Sequence, residues 1–210
     1  MYNKMPHRNS QKRFYGKDKI YFIVTKTYKN HPYFQEPIFC DLLIEEIKLC
    51  KGMKKFKLYA FSIIYDHLNL LIKPGEEYNI SKVMQSIKKE TARDINYIYN
   101  DKYYNQNNEG DIPECRLQGM QYSQRKKQHY YTPKLAYFQK RFANKYNYNN
   151  VIQLPQFKWQ KSFHDHIIRN NKDYINHHNY TVYNHLKHKL PENWRYTSLN
   201  FPEMVDNFFE

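Results

Sequence analysis

The sequence contains a short polar group inside an otherwise apolar stretch, Asp66-His67-Leu68-Asn69. If this stretch is a β-strand, alternation places His67 and Asn69 on one face, about 6 to 7 Å apart along the backbone, and Leu68 on the other. An imidazole nitrogen and an amide oxygen in that position form half of a site for a divalent metal ion. The alternative is a histidine that only makes structural hydrogen bonds.

A second group lies on the last helix that the sequence predicts. His177, Tyr180 and Asn184 follow one another at i, i+3 and i+7, so they share one helix face. An activated phenol is a nucleophile, and because a free tyrosine has a pKa of about 10, His177 is a candidate proton acceptor. The chain has 22 tyrosines, and an amphipathic packing face is the alternative interpretation of this helix.

The elements that must position these side chains follow from hydrophobic periodicity and from turn residues. Ile20, Phe22 and Val24 alternate in a first strand with one buried face, and Tyr65-Asp66 divides a later β-rich stretch into two strands. The predicted order is a strand at 19–28, a helix from Pro37 closed by Gly52, two strands within 57–73, a helix at 80–99 capped by Asn79, a strand within 156–169 and a long helix from Asn170 or Asn171 to about Lys189. This order predicts an α+β fold of ferredoxin-like type, with an antiparallel sheet and helices packed mainly on one face.

Length and composition bound the domain organisation. The 210 residues are enough for one domain, which we place at 19–190 with an insertion at about 101–150, between a basic flexible arm at 1–18 and a C-terminal tail at 191–210. Apolar runs are shorter than the roughly 20 residues of a membrane span, and no signal peptide is recognisable, so we expect a cytoplasmic protein. The chain has three cysteines, and the ten-residue separation of Cys40 and Cys50 on one predicted helix excludes a disulfide between them.

The charge indicates a polyanionic partner. Lysine and arginine outnumber the acidic residues by 34 to 20, a formal net charge of +14, and basic side chains often stand beside tyrosine or phenylalanine. Phosphate neutralisation together with base stacking on aromatic rings is how proteins hold single-stranded nucleic acid. The candidate DNA-binding residues are Lys12, Arg13, Lys54, Lys55, Arg125, Lys126 and Lys127.

The order of these segments resembles the one-tyrosine HUH transposases that move single-stranded DNA, and among them the REP-associated tyrosine transposases. The resemblance rests on YFIVTKTY in the first strand, on FSIIYDHLNLLIKP at the position of the family's Pro-x-His-hydrophobic-His motif, and on WQKSFHDHIIRNNKDY followed by HHNYTVYNHLKHKL. It covers most of residues 19–190 outside the insertion.

The resemblance implies roles for individual residues. The family's nucleophilic tyrosine falls on Tyr180, its first metal-binding histidine on His67 and a further polar ligand on Asn184. The second histidine of the motif is Asn69 in this chain, and Tyr65 replaces the preceding proline. An amide oxygen still suits Mg²⁺ but loses the preference of imidazole for Mn²⁺.

The activity implied is metal-dependent nicking and strand transfer of single-stranded or hairpin DNA through a 5′-phosphotyrosine, with Mg²⁺ or Mn²⁺ as cofactor. Two alternatives stay open: a catalytically silent hairpin-DNA-binding protein, favoured by Asn69, and an RNA-binding module, suggested by charge and aromatic content. Members of the family occur both as homodimers and as monomers, so either state fits the sequence.

Overall fold

The computed structural model describes residue 16 and residues 18–99, 135–145 and 154–208. Four strands form one antiparallel sheet in the order β2-β3-β1-β4. The strands are β1 (Tyr21–Lys26), β2 (Lys57–Ile64), β3 (His67–Lys73) and β4 (His164–Ile167). The helices are α1 (Pro37–Lys54), α2 (Ile80–Tyr99), α3 (135–145), α4 (Asn171–Val182) and α5 (Asn184–Lys187). The predicted ferredoxin-like α+β class is confirmed.

The ends of α1 and α2 follow from the local sequence. Pro37 occupies the first turn of α1, where its missing N–H would have no intrahelical partner. The helix continues two residues beyond Gly52 and ends where Lys55 adopts a left-handed φ of 51°, so the predicted end at Gly52 is wrong. At the start of α2 the Asn79 side chain accepts the Lys82 N–H at 3.0 Å, which confirms the predicted N-cap.

The main core lies between the sheet and helices α1, α2 and α3. Tyr21 and Ile23 of β1 point into it and are almost completely buried, while the predicted inward face of β1, which carries Phe22 and Val24, points the other way. The prediction failed because both faces of β1 are covered, and the second face is covered by α4. Phe22 packs there with Leu71.

The hairpin between β2 and β3 turns at Tyr65-Asp66, as predicted. The last predicted helix, in contrast, is not continuous. It is interrupted at Tyr183, where φ is −101° and ψ is 14°, and resumes as α5. This break determines how Asn184 is directed.

The segment after α5 packs along β2, the edge strand of the sheet. Thr197 forms a β-bridge with Ser62. Further along, the Asp206 carboxylate accepts the Leu58 N–H at 2.7 Å and pairs with Lys51 at the same distance. The exposed hydrogen-bonding groups of the edge strand are thereby partly satisfied.

Several predicted features lie outside the described residues, namely the basic arm up to residue 15 and most of the insertion. Of the proposed insertion only helix α3 is described, and Phe142 of that helix stacks on Phe39 with ring centroids 5.7 Å apart. Cys40 and Cys50 are buried free thiols, as expected. Within the described part of the chain, no helix is both long and apolar enough to cross a membrane.

Candidate active site

The strand register brings His67 and Asn69 to the sheet face that α4 covers. Asn69 lies between Ser62 of β2 and Val24 of β1, and Leu68 points to the opposite face, into the main core. The alternation expected from the sequence is therefore present. Both polar side chains are buried, His67 to 4% exposure and Asn69 to 1%.

Asp66 fixes the orientation of the His67 ring. Its carboxylate accepts a hydrogen bond from Nδ1 of His67 at 2.6 Å, and this bond is the main reason that the pKa of Asp66 lies below its ordinary value. An ionised carboxylate is only an acceptor, so the proton lies on Nδ1. In the neutral ring Nε2 then carries a lone pair and can bind a metal ion.

Asn184 meets the other nitrogen of the same ring. Its Oδ1 lies 3.3 Å from Nε2 of His67, and the residue is 1% exposed. When the ring is neutral and its proton lies on Nδ1, both Nε2 of His67 and Oδ1 of Asn184 are acceptors, so no proton lies between them. A cation placed between the two atoms would satisfy both.

Asn69 contributes a third oxygen to this region. Its amide nitrogen donates to Oγ of Ser62 at 3.2 Å, whereas its Oδ1 is buried and has no hydrogen-bond partner among the described residues. A buried acceptor without a donor is costly unless an ion or water meets it. The three predicted ligands thus offer one imidazole nitrogen and two amide oxygens, a set that fits a hard divalent cation.

Sequence reasoning missed His188, which packs against the same site. Its ring lies 4.8 Å from that of His67 between centroids, and burial followed by the nearby His67 lowers the pKa of its imidazole. His188 follows Asn184 by four residues, the spacing that places two residues on one helix face, and that signal was available in the sequence.

Tyr180 lies near the end of α4 with an accessible phenol. The side chain is 40% exposed, its ring meets the edge of Phe22 with centroids 5.6 Å apart, and the Lys187 ammonium lies 4.9 Å from the ring centroid. Within the described part of the chain the phenol oxygen makes no hydrogen bond. The group is therefore open to a ligand from solvent, with one positive charge beside it.

His177 does not bond to the phenol of Tyr180 in this structure. Its ring packs on Phe22 at 4.8 Å, as the Tyr180 ring does, but its Nδ1 lies 2.9 Å from a carboxylate oxygen of Asp173. The same carboxylate bonds to Nε2 of His166 at 2.9 Å. His166, Asp173 and His177 form a cluster whose ligand atoms lie within 4.8 Å of one another, close enough to hold a metal ion, and which the sequence did not predict.

Other tyrosines of the helix are less suited to nucleophilic attack or differently placed. Tyr174 stacks on Phe208 with centroids 3.8 Å apart, and burial raises the pKa of its phenol to about 12. Tyr183 is exposed but lies at the helix break.

Of the predicted DNA-binding residues, only Lys54 and Lys55 are described; Lys12, Arg13, Arg125, Lys126 and Lys127 lie outside the described residues. The Lys54 ammonium lies 3.7 Å from the ring centroid of Tyr78. Lys54 is the last residue of α1 and Lys55 its C-cap. Both precede β2, whose first residue, Lys57, pairs with Lys73 at the far end of β3. Lys73 is six positions along the strand from His67, about 20 Å, so these lysines lie at the opposite end of the sheet from the His67 site.

Comparison with known proteins finds a family match for the first half of the chain. Residues 17–109, which contain β1 to β3 and helices α1 and α2, match the family described as "Transposase IS200 like". No curated protein matches the chain at a significant level.

Solved structures similar to the chain include the following two. The first is a REP-associated tyrosine transposase bound to a REP hairpin, with 17% identity, a TM-score of 0.54, and 92% of this chain and 84% of that chain covered. The second is a protein of Deinococcus radiodurans R1 described as a transposase, with 10% identity, a TM-score of 0.41, and coverage of 86% and 98%. The first shares the four-stranded α+β fold, and residues 17–109 of the chain are similar to the IS200-like transposase family.

Proposed function

We propose that the protein nicks and rejoins single-stranded or hairpin DNA through a covalent 5′-phosphotyrosine on Tyr180. The observation that carries the proposal is the set of buried acceptor atoms on His67, Asn184 and Asn69. Oδ1 of Asn184 faces Nε2 of His67 at 3.3 Å, and Oδ1 of Asn69, on the same sheet face as His67, has no hydrogen-bond partner among the described residues. These atoms fit a divalent cation, and the accessible Tyr180 precedes Asn184 by four residues.

In the proposed reaction the Tyr180 oxygen attacks a backbone phosphorus. The new bond joins that oxygen to phosphorus, the bond from phosphorus to the 3′ oxygen breaks, and the 3′ oxygen leaves as a hydroxyl after taking up a proton. Attack by another 3′-hydroxyl reverses the step and rejoins strands, so no external energy source is needed. A Mg²⁺ or Mn²⁺ ion held by His67, Asn69 and Asn184 would supply positive charge to the phosphate oxygens.

The phenol proton needs an acceptor, and we retain His177 in this role. Because its Nδ1 is held by Asp173, Nε2 is the nitrogen that remains to take up a proton. Both His177 and Tyr180 pack against Phe22, which keeps them on the same side of α4. The Lys187 ammonium stands where it can contact a phosphate near the phenol.

The partner we propose is DNA, and the location we propose is the cytoplasm. The net charge of +14 supports a polyanion, and the REP hairpin bound by the similar transposase supports a hairpin substrate. The competing function is a silent hairpin-DNA-binding protein, which the replacement of the second motif histidine by Asn69 favours.

Tyr180→Phe tests the proposal directly. It keeps the ring on Phe22 but removes the nucleophile, so DNA affinity should persist while the covalent adduct disappears completely. The measurement is denaturing electrophoresis of labelled single-stranded DNA carrying the repeats that flank the gene, incubated with Mg²⁺ or Mn²⁺.

Tyr183→Phe is the matched control, because Tyr183 is an exposed tyrosine near the same helix end, and this variant should keep the adduct. An adduct that survives Tyr180→Phe contradicts the assignment of the nucleophile. If the wild-type protein binds hairpin DNA but never forms an adduct, the protein is a silent hairpin-DNA-binding protein. If it prefers RNA hairpins to DNA hairpins in competition, it is an RNA-binding module.

A further inference from the structure

We propose that His166, Asp173 and His177 form a second metal site, separate from the His67 region and specific for a transition-metal ion such as Zn²⁺. Nε2 of His166 lies 2.9 Å from one oxygen of the Asp173 carboxylate, and Nδ1 of His177 lies 2.9 Å from the other and also 2.9 Å from the backbone carbonyl oxygen of Asp173. All three ligand atoms lie within 4.8 Å of one another. A metal ion with bonds of about 2.0 to 2.2 Å would draw these atoms closer together and replace the hydrogen bonds that now join them.

Helix α4 and the hydrogen bonds at its start position two of the three ligands, Asp173 and His177, before any ion binds. The Asn170 side chain caps α4 by accepting the Asp173 N–H at 2.9 Å, and the Arg169 N–H donates to the Asp173 carboxylate at 3.0 Å. His177 is one turn further along the same face. The two ligands on α4 are therefore close together before an ion enters.

The sheet fixes the third ligand. His166 of β4 is registered opposite Phe22 of β1, on the face that α4 covers. The imidazoles of His166 and His177 stack with centroids 4.5 Å apart, and Phe22 packs against the second ring. These contacts keep both rings beside the Asp173 carboxylate, and the rings must turn out of the stack for their in-plane lone pairs to meet on one ion.

The donor set determines which ions fit. Two imidazoles and one carboxylate suit Zn²⁺, Co²⁺ or Ni²⁺ better than Mg²⁺, and three protein ligands leave a coordination position for water. Each ligand side chain is 19 to 28% exposed, which gives an ion access from solvent.

Occupancy of this site would have two consequences. It would tie β4 to the first turns of α4, the helix that carries Tyr180. If a cation binds Nδ1 of a neutral His177, the ring proton must lie on Nε2. An ion in this site therefore prevents His177 from accepting the phenol proton of Tyr180.

Metal binding to the full-length untagged protein tests the inference without DNA or catalysis. In His67→Ala protein, which lacks the imidazole of the first site, calorimetric titration with Zn²⁺ should still show one bound ion, and Co²⁺ should give visible absorption bands. Adding Asp173→Asn or His166→Gln should weaken Zn²⁺ binding by at least about tenfold, since even loss of an outer partner of a metal ligand has an effect of that size.

His178→Ala is the matched control. His178 is adjacent on α4 but stacks on Tyr174 at 5.7 Å, so its removal should leave Zn²⁺ binding unchanged. Zn²⁺ should also raise the thermal midpoint of His67→Ala protein by mass action, but not when His166→Gln is added.

Circular dichroism identifies variants that fail to fold, and His166→Gln provides a test outside the helix if Asp173→Asn unfolds α4. The second site is overturned if folded His67→Ala protein does not bind Zn²⁺, or if neither Asp173→Asn nor His166→Gln changes the binding. The cluster is then only a hydrogen-bonded link between β4 and α4.

Discussion

Asp66 accepts a hydrogen bond from Nδ1 of His67, so the ring can neither rotate nor change tautomer without losing this bond, and Oδ1 of Asn184 faces the other ring nitrogen. Orientation of a metal-binding histidine by a carboxylate on its other nitrogen is a common feature of metal sites. In this protein Asp66 is the residue just before the strand, so the β-turn itself supplies the orienting group.

Asn69 is the residue at which metal preference should be adjustable. Asn69→His adds an imidazole beside His67, and because imidazole favours Mn²⁺ over Mg²⁺ we expect tighter Mn²⁺ binding or more covalent adduct. Asn69→Leu has a similar volume but no amide oxygen, and we expect weaker metal binding. Mn²⁺ titration followed by electron paramagnetic resonance measures both, and equal Mn²⁺ affinity and activity in all three proteins would place Asn69 outside the metal shell.

At the scale of elements, the start of α4 controls the position of Tyr180. Asn170 is the N-cap of this helix, and its side chain satisfies the Asp173 N–H. Asn170→Ala removes that bond and should lower the free energy of unfolding by about 1 kcal/mol. Urea denaturation measures the loss.

Two further substitutions test this interpretation of the cap. Asn170→Asp should retain most of the stability because aspartate is an equally good N-cap. Asn171→Ala, one residue later and exposed, should have little effect. A loss of stability in Asn171→Ala as large as in Asn170→Ala would show that the cap is not the cause.

The break at Tyr183 also acts at this scale. In a continuous helix Asn184 would be placed by the regular rotation of 100° per residue, whereas here a new short helix begins at Asn184 and its side chain reaches His67. The interruption therefore joins the element that carries the proposed nucleophile to the proposed metal ligands on β3.

At the scale of the whole molecule, charge rather than any one contact should dominate DNA affinity. Lys54 and Lys55 lie at the opposite end of the sheet from His67, so a bound strand that reaches both ends must cross much of the protein. We expect the logarithm of affinity for single-stranded DNA to fall with the logarithm of salt concentration by about 0.7 per phosphate contact.

Fluorescence anisotropy over a series of salt concentrations measures this slope. Replacing Lys54 and Lys55 by glutamine should make it shallower, while Tyr180→Phe, which removes no charge, should leave it unchanged. A slope near zero for the wild-type protein would contradict phosphate-dominated binding.

The sequence alone predicted the elements whose signals are local. The bounds of α2 and the Asn79 cap follow from apolar periodicity and one side chain, and the Tyr65-Asp66 turn follows from a polar break between two apolar runs. The alternation that puts His67 and Asn69 on one face needs only strand geometry. The end of α1 differs from the prediction because Gly52 adopts helical geometry, and the left-handed residue that ends the helix is Lys55.

Only the tertiary structure decided what meets across the sheet. The His67 contact with Asn184 spans 117 residues of sequence, and the pairing of His166 with Phe22 depends on the register of a four-residue strand. Neither contact can be predicted from the hydrophobic periodicity of one strand or helix, because strand register and helix breaks are set by packing among distant segments. The sequence therefore determined which residue types could do chemistry, and the fold determined that Asp66 orients His67 and that Asp173 joins His166 to His177.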